Sequence, residues 1–149
     1  MDYKFIMQAA LSLAKVAADK GDVPVGAIVA NEAGEILGTG QNLREQSNDP
    51  TAHAEIIAIR QAAEKIGSWR LDDLTLVVTL EPCAMCAGAI LQSRIKRLVF
   101  GAWDEKAGAV GSVMDVIRDP RALTKIEVIS GIMEKECSEV LSEFFNTKR

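Results

Sequence analysis

The sequence predicts an α/β fold with three layers, in which one sheet carries helices on both faces. Amphipathic helical segments alternate along the chain with short apolar runs. The run Leu74 to Leu80 suits a strand that is buried on both faces of its sheet. The chain has 149 residues, and single domains usually contain roughly 100–200 residues. We therefore expect residues 1–149 to form a single domain.

The first predicted element is an amphipathic helix, because apolar residues recur at three- and four-residue spacing from Phe5 to Ala17. Gly21 is expected to end it. The segments Val25 to Ala30 and Glu35 to Thr39 are short and rich in Val, Ile and Thr, which predicts a hairpin. The polar segment Leu43 to Asn48 is predicted to be a loop.

A second long helix is predicted after Asp49-Pro50-Thr51, which supply a turn and an N-terminal cap, and it should end at Gly67. The apolar run Leu74 to Leu80 follows and is predicted to be the central strand. Pro82 then stands where a helix can open and continue toward Ser93, since proline is favoured in the first turn.

Two further strands and a helix complete the predicted order. The strands are expected at Arg97 to Gly101 and Lys125 to Ser130, and the helix at Met133 to Phe145, whose apolar residues share one face. The result is a sheet of about five strands. Gly38-Thr39-Gly40 lacks the rest of a dinucleotide-binding fingerprint and is interpreted as a bulge or turn, so no nucleotide cofactor is expected.

Composition narrows the possible classes of protein. With 48% hydrophobic and 26% charged residues, the chain is typical of globular proteins. The sequence has no apolar run near the roughly 20 residues that span a bilayer, and its start lacks the pattern of a signal peptide. These features predict a cytoplasmic protein without membrane association. The net charge of −4 argues against broad nucleic-acid binding, so any RNA contact should be local.

A metal site is predicted where His53 and the pair Cys83 and Cys86 begin two helices. Residues three apart lie on one face of a helical turn, so the two sulfurs can share an ion. The helix N-terminus also lowers thiolate pKa, which favours metal binding. His53 is the only histidine, and it completes a set of three ligands. Catalytic zinc sites keep the fourth position for water, whereas structural sites usually have four protein ligands.

Glu55 lies two residues after His53 and is predicted to stand beside metal-bound water, where a carboxylate can transfer protons in hydrolysis. Each motif alone has another interpretation, since a lone histidine is usually structural and a Cys-x-x-Cys pair is often redox-active. Their joint occurrence, with Cys83 following Glu55 by 28 residues, is far more specific. Cys137 is an alternative fourth ligand, but its place on an apolar helix face favours core packing.

Three blocks carry a resemblance to a known family. They run over residues 22–27, 48–55 and 79–90, and the last contains Thr-Leu-Glu-Pro-Cys-Ala-Met-Cys. The block Ser93-Arg-Ile-Lys-Arg-Leu-Val-Phe-Gly-Ala102 continues it. On these residues the chain resembles the bacterial tRNA-specific adenosine deaminases of the cytidine/deoxycytidylate deaminase superfamily.

This resemblance implies the cytidine-deaminase-like α/β/α fold with a central mixed sheet, a homodimer and one Zn²⁺ per subunit held by His53, Cys83 and Cys86. It also implies the reaction, which is conversion of adenosine to inosine at the wobble position of an arginine tRNA with anticodon ACG. Zinc-bound hydroxide attacks C6 of adenine, while Glu55 protonates N1 and then the departing ammonia. The implied partner is a tRNA anticodon stem-loop.

The resemblance further implies contacts to the substrate. Asn42 would hydrogen-bond the target base, Val25 and Ala54 would line its pocket, and Asp104 would lie near the ribose and flanking nucleotides. The tail that would contact RNA comprises Phe144, Phe145, Lys148 and Arg149. Stacking of splayed bases on aromatic rings and pairing of phosphates with nearby cations are consistent with such a tail. Without the resemblance, Asn42 is interpreted as a turn residue.

Two alternative functions remain open from the sequence. The same metal ligands would serve a deaminase of free bases or nucleotides, such as guanine, cytosine or deoxycytidylate. The basic and aromatic tail favours RNA. A structural zinc module without activity would require four protein ligands, and Glu55 beside the sole histidine argues against it. Trp103 departs from the polar residue often found beside the family aspartate, which leaves the preference for flanking bases open.

Overall fold

The computed structural model describes residues 1–148 and has a five-stranded sheet with helices on both faces. The elements in chain order are α1 (Tyr3–Asp19), β1 (Gly26–Ala30), β2 (Ile36–Gln41), α2 (Arg44–Ser47), α3 (Ala54–Ile66), β3 (Thr75–Leu80), α4 (Ala84–Ser93), β4 (Arg97–Ala102), β5 (Glu127–Ile129) and α5 (Glu134–Thr147). The predicted α/β class is confirmed.

The sheet is mixed, with strand order β2-β1-β3-β4-β5. β1 pairs antiparallel with both β2 and β3, whereas β3, β4 and β5 are parallel. β3 is therefore the central strand, as its apolar sequence predicts, and its first five residues are buried. Parallel strands need covered faces, and accordingly α4 connects β3 to β4 and α5 follows β5.

Two hydrophobic clusters occupy the two faces of the sheet. One joins α3 and α4 to alternate strand residues, among them Val29, Leu76 and Phe100. The other joins α1 and α5 to the intervening strand residues, whose side chains point to the opposite face of the sheet, such as Ile28 and Val77. Because successive side chains of a strand point to opposite faces, the sheet separates two helical layers. The predicted three-layer arrangement follows from this alternation.

Gly38 and Gly40 have a packing role that the sequence interpretation missed. Both lie within β2, whose pairing with β1 has a register irregularity directly beside Gly38, so a bulge lies next to Gly38 but not at Gly40. A side chain at Gly38 would overlap the Ala58 carbonyl, and one at Gly40 would overlap the Ala54 carbonyl. The glycines therefore let α3 lie directly on β2. This close approach determines where the start of α3 meets the sheet.

The segment predicted as a loop, 43–48, contains the short helix α2. The residue that stabilises the start of α2 is distant in sequence. The buried carboxylate of Asp22 accepts hydrogen bonds from the backbone N–H groups of Glu45, at 2.7 Å, and Gln46, at 3.3 Å. Side-chain oxygens that cap a helix start satisfy donors that would otherwise lack a partner. A second difference concerns α3 and α4, which begin one residue after His53 and Cys83 and not at the predicted caps.

Among residues 1–148, no helix combines the length and the apolar character that crossing a bilayer requires.

Candidate active site

The site lies where the starts of α3 and α4 meet beside the end of β3. His53 is the N-cap residue of α3, and its extended backbone turns the chain from a loop into the helix. Cys83 is the N-cap residue of α4, and Cys86 lies in the first turn of that helix. The side chains of both cap residues face the space between the two helices, where Nδ1 of His53 approaches Sγ of Cys83.

His53, Cys83 and Cys86 form a group whose ligand atoms all lie within 4.8 Å of one another. Nδ1 of His53 is 3.6 Å from Sγ of Cys83 and 3.5 Å from Sγ of Cys86. Tetrahedral zinc, with bonds of about 2.3 Å to sulfur and about 2.0–2.1 Å to nitrogen, separates such atoms by about 3.5–3.6 Å. The donor set and its spacing therefore fit zinc, and the group could hold a metal ion.

The two thiols differ in their pKa values. Hydrogen bonds from Cys86 and His53 lower the pKa of Cys83 to about 3. The pKa of Cys86 is raised, because it keeps the proton that it shares with Cys83 and because it is buried. The hydrogen bond to Cys83 raises the pKa of His53. Metal binding releases protons from such groups, so affinity should increase with pH.

Glu55 is a buried carboxylic acid beside this group, with 4% of its surface exposed. Burial raises its pKa to about 7 from the ordinary value of 4.5. A general acid or base works best when its pKa is near the operating pH, because it can then both accept and donate a proton. Glu55 lies in the first turn of α3, two positions from His53, and is outside the three-residue ligand group.

A cavity of about 190 Å³ opens at this point and contacts both the ligand group and Glu55. Its lining comprises Val23, Val25, Asn42, Arg44, His53, Ala54, Glu55, Leu80, Glu81, Cys83, Asp104 and Ala107. The four residues that the resemblance assigns to the target base and its surroundings are all among them. A ligand in this cavity would therefore lie between apolar walls and the candidate metal site.

Asn42 is buried at the end of β2 and is partly engaged within the protein. Its Nδ2 donates to the Val23 carbonyl at 3.1 Å, and its Oδ1 accepts from the Arg44 N–H at 3.1 Å. An amide has two donors and two acceptor lone pairs, so one of each remains for a ligand. The two internal bonds orient the side chain toward the cavity that it lines.

Asp104 lines the same cavity from the loop after β4. Its Oδ1 accepts from the N–H groups of Lys106, at 3.1 Å, and Ala107, at 3.2 Å, which tightens the turn. Trp103 precedes it, is 43% exposed and stacks edge-on against Phe100 with ring centres 4.9 Å apart. The tryptophan is thus at the surface beside the cavity.

The predicted RNA-contacting tail lies at the end of α5. Phe144 is half-buried and Phe145 is exposed, and their rings meet edge to face at 5.4 Å. Nζ of Lys148 lies 5.3 Å from the centre of the Phe144 ring. Phe145 and Lys148 also line a surface groove that includes Lys106. Arg149 lies outside the described residues.

Cys137, the alternative fourth ligand, is buried on α5 and is outside the ligand group. A side chain at Gly101 would overlap its sulfur, which places the thiol against β4. Burial raises the pKa of Cys137 to about 12. The prediction that it packs in the core is confirmed.

Two charged residues of the cavity were missed by the sequence analysis. Arg44 follows Asn42 in the segment interpreted as a loop, and it has no ion pair with an acidic residue in the described chain. Glu81 immediately precedes Pro82 in the block that contains the Cys-x-x-Cys pair, but the neighbouring residues do not indicate that its carboxylate is buried. Adjacency to the motifs was the only available signal for either residue.

Comparison with known proteins adds independent information. The chain matches the model of the MafB19-like deaminase family over residues 1–149. It is 53% identical to the tRNA-specific adenosine deaminase of Haemophilus influenzae over 144 residues, 97% of this chain and 83% of that protein. The Bacillus subtilis tRNA-specific adenosine deaminase is 46% identical over 143 residues, 96% of this chain and 88% of that protein.

Two solved deaminase structures are similar to this chain. One comes from a study of A-to-I editing by tRNA:A34 deaminases at the wobble position of transfer RNA. It matches with a TM-score of 0.87 and 43% identity over 91% of this chain and 97% of that chain. A guanine deaminase from Nitrosomonas europaea matches with a TM-score of 0.79 and 26% identity, over 93% of this chain and 81% of that chain.

Proposed function

This chain belongs to the MafB19-like deaminase family, and from that membership and its relatives we infer that it is a tRNA-specific adenosine deaminase. It converts adenosine to inosine at the wobble position of tRNA. The observation that carries deamination is the joint presence, in one cavity, of His53, Cys83 and Glu55, with Cys86 completing the candidate ligand group. Because the same residues would serve a free-base deaminase, the tRNA substrate is inferred from the relatives. The reaction consumes water and releases ammonia.

The proposed cofactor is one zinc ion per subunit, held by His53, Cys83 and Cys86. The spacing of nitrogen and sulfur ligands supports zinc. When bound, zinc supplies a Lewis acid that lowers the pKa of water to about 7. Three protein ligands leave one coordination position for that water, which argues against a purely structural module.

Glu55 is proposed to move the protons of the reaction. Its carboxylate accepts a proton from the attacking water and delivers it to N1 of the adenine ring. The carboxylate then takes a second proton from the hydroxyl group added at C6 and passes it to the amino group, which leaves as ammonia while C6 becomes a carbonyl. Burial of Glu55 supports this role because it raises the pKa into the range where one carboxyl group can both accept and release a proton.

The remaining assignments concern recognition. Asn42 is proposed to bond the base through its free donor and acceptor, while Val25 and Ala54 provide apolar walls and Asp104 stands near the ribose. Phe144, Phe145, Lys148 and Arg149 are proposed to contact the anticodon loop. The preferred substrate is an arginine tRNA with anticodon ACG. One deaminase domain over residues 1–149, the homodimer and the cytoplasmic location stay predictions.

The substrate is tested by measuring inosine in an ACG anticodon stem-loop after incubation with the zinc-loaded protein. We expect conversion at the first anticodon position of the RNA and much slower conversion of a DNA stem-loop with the same sequence. Free guanine, cytosine and deoxycytidylate serve as competing substrates in an ammonia-release assay. Release of ammonia from one of these, with unmodified RNA, would contradict the tRNA assignment and favour the free-base alternative.

Arg44 is expected to contact a backbone phosphate, because it is an exposed cation at the rim of the cavity. Arg44→Ala should raise KM for the stem-loop, and it should reduce the slope of log affinity against log salt by about 0.7, the value for one phosphate of a single strand. Binding of the stem-loop across a salt series measures this slope. Arg60→Ala, an exposed arginine on α3 outside the cavity lining, is the control and should leave the slope unchanged.

The pH dependence should reveal the ionisation of Glu55. The ionised form is needed to accept a proton, so activity is lost as pH falls through the pKa. Burial raises this pKa to about 7 from 4.5, and a cation at the neighbouring ligands would lower it again. The acid limb of kcat/KM should therefore lie between these two values. A profile that stays flat across that interval, in protein that keeps its zinc, would contradict the assignment.

A further inference from the structure

Glu81 is a buried carboxylate whose function neither the reaction nor the metal site explains. It follows β3 directly, two residues before Cys83, and only 2% of its surface is exposed. It lines the edge of the cavity but is outside the ligand group. Burying an ionised carboxylate is costly unless hydrogen bonds replace its water. Its partners therefore indicate what it does.

All of these partners belong to the loop that follows β4. Oε1 accepts from the N–H of Asp104 at 3.0 Å, and it also accepts from the hydroxyl of Ser112. Oε2 accepts from the N–H of Val110 at 2.9 Å and from the N–H of Ser112 at 3.1 Å. Both oxygens thus serve as acceptors, and four donors from one loop converge on a single carboxylate.

Contacts of the backbone bring this loop and the Glu81 segment together. A side chain at Gly108 would overlap the Glu81 carboxylate, so the backbone there lies directly against it. The N–H of Ala109 donates to the Pro82 carbonyl at 2.8 Å, and the N–H of Glu81 donates to the Ala102 carbonyl at 2.8 Å. The loop 103–112 is therefore attached to the chain immediately before Cys83.

Both attached segments form the wall of the cavity. Leu80, Glu81 and Cys83 line it from the end of β3 and the segment that follows, and Asp104 and Ala107 line it from the loop. We propose that Glu81 is a positioning residue, which sets the loop 103–112 against the metal-binding segment and so places Asp104 relative to the reacting base. This inference rests on the proposed function. It assigns Glu81 to alignment of the substrate and not to proton transfer.

The variant Glu81→Gln tests the proposal with little change of shape. The amide of glutamine has one oxygen and one NH₂ group in place of the two carboxylate oxygens. At either oxygen position, the NH₂ group would face at least one backbone N–H donor. One hydrogen bond is lost if the NH₂ group faces Asp104, because the Ser112 hydroxyl can accept from it, and two are lost if it faces the N–H groups of Val110 and Ser112. In either case the loop should shift. Small displacements of a positioning group can lower the rate about 10²-fold. We expect a loss of about that size, mainly in kcat on the ACG stem-loop, with the zinc content unchanged.

The matched control is Glu105→Gln, since Glu105 lies on the same loop, is exposed, and has no hydrogen bond or ion pair in the described part of the chain. It should retain full kcat. Amide hydrogen exchange supplies a readout that is independent of substrate. Exchange at Asp104, Val110 and Ser112 should become faster in Glu81→Gln and stay unchanged in the control. A merely stabilising role would lower the melting temperature and leave kcat per folded molecule intact.

If Glu81→Gln does not fold, the variant Ser112→Ala tests the same proposal. Ser112 is exposed, and this variant loses only the hydrogen bond from the hydroxyl group to Glu81. It should show a smaller fall of kcat with full zinc content. Unchanged kcat and unchanged exchange in the folded variants would overturn the proposal. A wild-type protein that leaves RNA unmodified would contradict the proposed function instead, and the exchange data would then still test whether Glu81 holds the loop.

Discussion

Glu55→Ala is expected to lower kcat/KM on the ACG stem-loop by about 10²–10⁴-fold, the usual contribution of a positioned general acid or base. The variant keeps the His53, Cys83 and Cys86 ligands, so zinc content should not change. Its fold should persist as well, because burial raises the pKa of Glu55 and an ionised carboxylate there destabilises the folded protein. Inosine formation, metal content and thermal unfolding measure these three quantities.

Glu64→Ala is the matched control for this experiment. Glu64 is on the same helix but is exposed and does not line the cavity. It should keep the wild-type rate. Retention of more than about a tenth of the activity by Glu55→Ala would contradict the proton-transfer role, since even the lower limit for such a group is about 10²-fold.

Cys86→Ala is expected to abolish both metal binding and deamination. Cys86 is fully buried, and its sulfur is 3.5 Å from Nδ1 of His53. With one of three protein ligands removed, the zinc content of purified protein should fall from one per subunit toward zero. The activation of water, which depends on lowering its pKa from 15.7 to about 7, should be lost with it. Elemental analysis and the stem-loop assay measure the two effects.

Cys137→Ala separates loss of a ligand from loss of a buried cysteine. Cys137 is also fully buried but belongs to the core beneath α5. Its removal should lower thermal stability through a small cavity and leave zinc content intact. After treatment with a chelator, added zinc should restore the wild-type and Cys137→Ala proteins but not Cys86→Ala. Full zinc content and activity in Cys86→Ala would rule out the proposed ligand set.

Elements with a strong local pattern were predictable from sequence. The apolar run that forms β3 and the periodic apolar positions of α1 correspond to the central strand and a surface helix. The short helix α2 was not predictable, because its cap comes from Asp22, more than 20 residues earlier. The packing role of the glycines of β2 was missed for the same reason, since the backbone of α3 that excludes their side chains is remote in sequence.

The candidate site also contains residues that could be predicted from the sequence and residues that could not. The ligands and Glu55 were predicted because metal binding and proton transfer require particular residue types at particular spacings. Arg44 and Glu81 were not, because charged residues outside such motifs are usually solvated. The partners of Glu81 lie 23 to 31 residues further along the chain. A buried carboxylate with distant partners has no local signature.

The sequence by itself determined which residue types form the candidate site: His53, Cys83 and Cys86 at two helix starts, Glu55 close to His53, and a strand apolar enough to be central. These features depend on residue type and local spacing. The tertiary structure alone decided which side chains share the cavity, how deeply Glu55 is buried and what Glu81 holds. Strand register and close helix packing bring residues far apart in sequence within hydrogen-bond distance, and neither distance nor desolvation can be derived from local pattern.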